Sequence, residues 1–194
     1  MGRSTIQPTT RLLNHAETVY APGDRAAARA LFRAIGCRVL DPQEEDGPSD
    51  LGEAAGPYLI VFVDPASTDL IDNVVYSSEV QPEQWALEQA LRTHLDGDEG
   101  VRAAYAAFAE KFVRTPFAMT HLGFAMSEAQ LEVCLERIAA APELSGRVHV
   151  TGVYRPGDPG SVDPRVIQAF LRTDVISTGM LFAGQQIELQ VRLD

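Results

Sequence analysis

One arrangement occurs twice in this chain. Residues 12–37, LLNHAETVYAPGDRAAARALFRAIGC, set a histidine in a short strand-like run and follow it with a turn and an alanine-rich helix pattern. Residues 119–140, MTHLGFAMSEAQLEVCLERIAA, do the same. A repeated supersecondary unit restricts the fold to architectures in which two similar modules pack together. A lone histidine in an apolar strand is most simply a hydrogen-bonded structural residue. Its recurrence at the same place in both units raises the question of a shared site.

The repeat extends beyond those segments. In the first half a strand over 12–20 is followed by the turn Pro22-Gly23-Asp24, with Asp24 as a helix N-cap. The helix carries Ala28, Leu31, Phe32 and Ile35 on one face and stops at Gly36. CRVL, YLIVFVDP and NVVYSSEV read as three further strands, the first two separated by the acidic loop DPQEEDGPSDLGEAAGP. In the second half MTHLGFAM is the strand. Ser127 and Gln130 form a capping box, and Leu131, Cys134, Leu135 and Ile138 make the helix stripe. RVHVTGVY, RVIQAFLRTDVI and QQIELQVRL close the unit. The chain therefore predicts an α+β fold of two βαβββ modules, residues 11–81 and 118–194, forming a curved mixed-sheet cup. A helical insertion spans 82–117, with Pro82 at a first helical position and an apolar stripe of Val101, Ala104, Tyr105, Phe108 and Phe112. Such an insertion packs outside the modules, forms a subunit contact, or lies as a lid over a pocket.

Bulk properties narrow the partners. A chain of 194 residues builds one sizeable domain or two small ones sharing a core. The net charge of −11 leaves no excess of cations for phosphates, which argues against nucleic acid and against an anionic membrane surface. No apolar run is long enough to span a bilayer, and MGRSTIQPTT lacks the apolar centre of a secretory signal, so a cytoplasmic protein is expected. Cys37 and Cys134 have no metal-type spacing and read as buried reduced thiols. The expected partner is a small molecule, and the chain is expected to act as a monomer or homodimer.

Strand alternation then indicates where polar groups point. Ile187, Leu189, Val191 and Leu193 share one face of the last strand; Gln186, Glu188, Gln190 and Arg192 share the other. On the strand that opens the second module, Leu122, Phe124 and Met126 are the apolar face. His121 lies opposite, with the small residues Gly123 and Ala125 leaving room for a ligand. In the first module Leu13, His15, Glu17 and Val19 share a face, and Val75, Ser77 and Glu79 lie opposite Val74, Tyr76 and Val80. The pattern assigns His15, Glu79, His121 and Glu188 to the sheet faces turned away from the helices.

These residues carry a family likeness. The opening strand and helix with its histidine just after a leucine pair, the THLGFAMS that opens the second module, and the closing FAGQQIELQ with Gly184 four residues before Glu188 resemble the vicinal oxygen chelate superfamily. That superfamily includes glyoxalase I, methylmalonyl-CoA epimerase, extradiol dioxygenases and the bleomycin- and fosfomycin-resistance proteins. The resemblance covers residues 11–80 and 118–194 and is more specific for the fold than for the reaction. It implies metal ligands on the first and fourth strands of each module, at His15, Glu79, His121 and Glu188, with Ser77 as the alternative to Glu79. It also implies Glu188 or Glu79 as the catalytic base.

Two imidazoles and two carboxylates suit one divalent ion: Ni, Co, Zn, Mn or Fe. Such an ion grips adjacent oxygens of a substrate and stabilises an enediolate. The leading expectation is thus a glyoxalase-like lyase or isomerase acting on a small oxygenated substrate by bidentate chelation and proton transfer. With Glu79 absent the set becomes His15, His121 and Glu188, the pattern of Fe(II) extradiol-type dioxygenases. A non-catalytic resistance-type binding protein is the third reading. Glu17, Arg172 and Gln190 are candidate substrate contacts, Arg172 for a carboxylate, and Gln168 shares the pocket face; His94 and His149 read as structural.

Overall fold

The computed structural model describes residues 14–43 and 58–193. Leu12, Leu13, the N-terminal tail and most of the acidic loop lie outside the described residues. The elements run β1 (His15–Tyr20), α1 (Arg25–Ala34), β2 (Arg38–Leu40), β3 (Leu59–Phe62), β4 (Val74–Glu79), α2 (Pro82–Gly97), α3 (Glu99–Arg114), β5 (His121–Met126), α4 (Glu128–Ala140), β6 (Val148–Tyr154), β7 (Val166–Thr173) and β8 (Gln185–Arg192). Two four-stranded mixed sheets result, ordered β1-β4-β3-β2 and β5-β8-β7-β6. In each, the first strand runs parallel to the fourth and the remaining pairs are antiparallel. The βαβββ unit expected from the sequence is present twice, with helices between the modules.

The helices form where apolar spacing and end signals agree. Ala28, Leu31, Phe32 and Ile35 are buried, and Gly36 ends α1 at φ +92°, a left-handed conformation that favours glycine. Ser127 and Gln130 make the reciprocal capping box at the start of α4. Asp24 is a departure: it precedes α1 without capping it, and its carboxylate instead accepts from Arg147 Nη2 at 2.7 Å. Arg147 also reaches Asp174 at 2.9 Å, so one guanidinium ties the first turn of module one to the second sheet. The helix-side faces of both sheets and the stripes of α1 and α4 contribute to a single core, with Leu31, Phe32, Leu59, Leu131, Leu171 and Leu189 fully covered. Across the seam, Val19 and Ser177 exchange backbone hydrogen bonds of 2.8 and 2.9 Å.

The insertion is two helices divided at Asp98, whose carboxylate accepts the Val101 N–H. Its docking is polar. Glu88 on α2 is fully buried and accepts the backbone N–H groups of Leu181 and Phe182, at 3.0 and 2.9 Å, and the amide of Gln84. The apolar stripe of α3 is only partly used: Phe112 is buried, whereas Val101 and Phe108 are exposed. Among the described residues no helix is long and apolar enough to cross a membrane.

Candidate functional site

The second sheet's face away from its helix is built by register. Gly123 lies beside Glu188 and His121 beside Gln186 on the β5–β8 pair, while Gln168, Phe170 and Arg172 on β7 face Gln190, Glu188 and Gln186. Ile187, Leu189 and Val191 are committed to the core, so parity sends Glu188 to the opposite side. There Glu188 is 5% exposed and fully engaged. Its Oε1 accepts from Gln168 Nε2 at 2.6 Å and Gln190 Nε2 at 2.9 Å. Its Oε2 is 2.9 Å from His121 Nε2. Gly123 leaves space beside the carboxylate, where a Cβ would stand 3.9 Å from Glu188 Oε2, an ordinary contact distance.

His121 is held from its other side too. Nδ1 is 2.7 Å from the Met119 carbonyl oxygen, and the ring stands edge-on to Phe170 with centroids 6.0 Å apart. Both ring nitrogens therefore meet acceptor oxygens. A neutral imidazole has one N–H and satisfies only one of them. His121 and Glu188 thus form a close imidazole–carboxylate pair in which the histidine is exposed and the carboxylate is braced.

The first module repeats the backbone but not the chemistry. His15 lies beside Val74, and Glu17 beside Tyr76. Position for position, Tyr76 occupies the place of Glu188 and Glu17 the place of Gly123. His15 Nδ1 pairs with Asn14 Oδ1 at 2.8 Å, and its ring meets Tyr76 edge-on at 5.9 Å. The Tyr76 hydroxyl donates to the Leu70 carbonyl, and burial together with the nearby charges of Asp69 and Glu17 holds the phenol above its ordinary pKa.

Glu79 is not brought to this face. It pairs with Tyr20 at the far end of β1, five residues from the His15–Val74 pair, about 16 Å along the strand. It shares the parity of Val75, which belongs to the helix-side core, and its Oε2 accepts the Gly23 N–H in the turn entering α1. The reason is that Val75, Ser77 and Glu79 form the helix-side face of β4, while Val74 and Tyr76 pack with Ile60 and Phe62 on the other. Ser77, the alternative, is buried on that same helix side. His15 does reach the second module's edge, lining with Gly123 and Phe124 a cavity of about 120 Å³. Glu17 is exposed beside it, and Gln190 braces Glu188 as described.

The four expected ligands are therefore split. Among the described residues no group of three or more His, Cys, Asp or Glu side chains is arranged to hold a metal ion. A divalent ion at His121 and Glu188 would find two protein donors, short of the three or four that enzymic transition-metal sites use. The donor set does not fit the expected metal, and the chemistry below rests on the protein's own groups. The cysteines are equally separate: both are free and buried, and burial, with a smaller effect from nearby Cys134, pushes the Cys37 thiol up to about 12. A thiol so placed is not a nucleophile at neutral pH.

Sequence reasoning named Gln168, Gln190 and Arg172 as facing the pocket but missed Tyr76 as the first module's counterpart of Glu188. The available signal was the register itself: aligning Val75 with Ile187 as core residues puts Tyr76 opposite Glu188. It also missed Arg92 and Tyr105, which the insertion brings against the second sheet. No family model, curated protein sequence or solved structure matches the chain.

Proposed function

We propose that this chain is a glyoxalase-like member of the vicinal oxygen chelate superfamily, a lyase or isomerase that moves a proton next to a carbonyl of a small oxygenated substrate. The observation that carries this reading is the His121–Glu188 pair, 2.9 Å apart on the sheet face turned away from α4, with the carboxylate held by Gln168 and Gln190. Glu188, oriented by Gln168 and Gln190, takes the proton from carbon; the released electron pair moves onto the carbonyl oxygen; the Nε2–H of His121, released from Glu188, hydrogen-bonds that oxygen; and the Glu188 carboxyl returns the proton to the adjacent carbon. The sequence is redox-neutral and needs no electron acceptor. An iron-dependent dioxygenase would need His15 grouped with His121 and Glu188, and those three do not form such a group among the described residues. The same lack of a third donor favours, as a second reading, a protein that binds its small molecule without turnover.

Proton NMR in D₂O separates the two readings. A panel of 2-hydroxyketones and 2-oxoaldehydes is incubated with the protein, in chelator and again with added Mn²⁺, and exchange of the C–H beside the carbonyl is followed. Enzyme-dependent exchange that disappears in Glu188→Gln and His121→Ala supports proton transfer. Saturable ligand shifts with no exchange under either condition support binding alone. Exchange undiminished in both variants removes the dyad from the mechanism.

A further inference from the structure

The cavity between the helical insertion and the second sheet has a composition at odds with the rest of the molecule. It holds about 200 Å³ and is lined by Arg92 of α2, Tyr105 of α3, His149 of β6, Arg172 of β7, and Arg147 and Asp174 beside them. The chain carries 27 acidic against 16 basic residues, yet three guanidiniums and an imidazole meet here. Arg147 is committed to Asp24 and Asp174. Among the described residues Arg92 and Arg172 have no carboxylate partner, and the buried Nε of Arg92 has no hydrogen-bond partner. Leaving a guanidinium N–H buried and unpaired is unfavourable, more so than for a neutral donor.

Arg172 is positioned rather than loose. Its guanidinium lies over the Phe112 ring at 4.8 Å from the centroid, which fixes the plane and leaves the N–H edge for a ligand. Nη2 makes a long contact of 3.5 Å with the Tyr105 hydroxyl, which itself donates to the Phe182 carbonyl at 2.8 Å. Gly184 permits the approach: a Cβ there would stand 3.3 Å from Arg172 Nε. On the sheet, Arg172 lies beside Gln186 and Gln186 beside His121, so the strand positions of Arg172 and His121 are about two strand spacings, roughly 10 Å, apart. Gln186, between them, is fully buried with neither amide atom paired.

We propose that Arg92 and Arg172, with Tyr105 and His149 at the wall, form an oxyanion-binding site for the carboxylate or phosphate of a small molecule. The planar guanidinium edges of the two arginines match the oxygens of either group. The insertion is then one wall of a ligand site. That the anion belongs to the substrate of the His121–Glu188 pair rests on the function proposed above; the binding itself does not.

Calorimetric titration at fixed ionic strength tests it, with inorganic phosphate in one arm and succinate in the other. Saturable binding of either probe is expected, weakened about tenfold or more in Arg92→Gln and in Arg172→Gln. Arg165→Gln, which alters an exposed arginine paired only with Asp163, should leave it unchanged. Circular dichroism of each variant checks the fold, and Arg92→Lys, which keeps the charge, should retain part of the affinity. Phosphate-only or succinate-only binding identifies the source of the oxyanion, and either supports the site. No saturable binding of either probe, or equal affinity in both glutamine variants, overturns it. Glu188→Gln distinguishes the two proposals, because it should abolish carbon-proton exchange while leaving phosphate and succinate binding intact.

Discussion

His15 and His121 open equivalent strands, each beside the fourth strand of its own module and in the same parallel register. What surrounds them differs. In the second module the position two residues on is Gly123, the neighbour across is Glu188, and two glutamines brace that carboxylate. In the first module those positions hold Glu17 and Tyr76, and the tyrosine hydroxyl is spent on the Leu70 carbonyl. The outer faces differ in the same sense. That of the first sheet buries an apolar cluster of Ile60, Phe62 and Val74, with Arg38 lying over Phe62 while it donates to the Pro65 and Ser67 carbonyls. That of the second is polar and receives the insertion. A duplicated backbone thus supplies two equivalent positions, and side-chain volume and hydrogen bonding place a histidine–carboxylate pair at one of them.

The largest expected effect separates the two histidines. Glu188→Gln and His121→Ala should each lower carbon-proton exchange by about 10²- to 10⁴-fold, the usual scale for a positioned acid–base group. His15→Ala should change it less than about threefold, since His15 makes its hydrogen bond to Asn14 and none to the pair. Equal losses at the two histidines would break the comparison and restore a site shared between modules.

The charges of module one serve its fold, and Asp41 shows this best. It is buried after β2 and accepts from Arg25 at 2.7 Å and Arg29 at 2.9 Å. Burial by itself raises its carboxyl, but the hydrogen bonds from Arg25, the Gln43 backbone and Arg29, with the charge of Arg25, outweigh that and hold it below the usual carboxylate range. A carboxyl lowered in the folded state stabilises fully above its unfolded value, about 4, and loses that contribution as the pH falls through the folded value. Asp41→Asn should cost about 3 kcal/mol near neutrality, by removing the buried charge that Arg25 and Arg29 pair with. It should also flatten the acid limb of a stability–pH curve from urea melts. An unchanged acid limb would show that Asp41 contributes nothing to it.

A graft sharpens the comparison further. Gly123→Glu copies the first module's Glu17 into the second, with the new Cβ 3.9 Å from Glu188 Oε2. Two carboxylates in that space repel and compete for His121, so exchange should fall about tenfold or more while the melting temperature moves by only a few degrees. Retained activity would show that the open space at Gly123 is not used by a substrate.

How much of this was legible in the sequence follows from the strands. The duplication and the element order were readable because Ala28, Leu31 and Phe32, and again Leu131, Cys134 and Ile138, repeat at helical spacing before strands bounded by turn residues. The face of β8 was readable because Gln186, Glu188 and Gln190 alternate cleanly with Ile187, Leu189 and Val191. In β4 Val74 and Val75 are both buried, one in each cluster, so alternation carries no sign and a polar residue at the strand end is easily put on the wrong side. The pocket under the insertion was not readable, because Arg92, Tyr105 and Arg172 come from three elements whose docking depends on the buried Glu88.

Glu79 gives the smallest expected effect and the most direct check of that face. Its Oε2 accepts the Gly23 N–H at 3.3 Å, exposed to solvent. Gly23 holds φ +85° in the turn that delivers the chain into α1, so the carboxylate fastens a glycine turn rather than a ligand. Removing an exposed bond of this kind costs about 0.5 kcal/mol, because water replaces the lost acceptor. Glu79→Ala should therefore lower the urea midpoint slightly and leave both carbon-proton exchange and phosphate binding at wild-type levels. A loss of exchange comparable to that of Glu188→Gln would mean that β4 turns Glu79 towards the substrate in the working protein. The first module would then contribute a carboxylate to catalysis, and the division of labour between the two modules would fail.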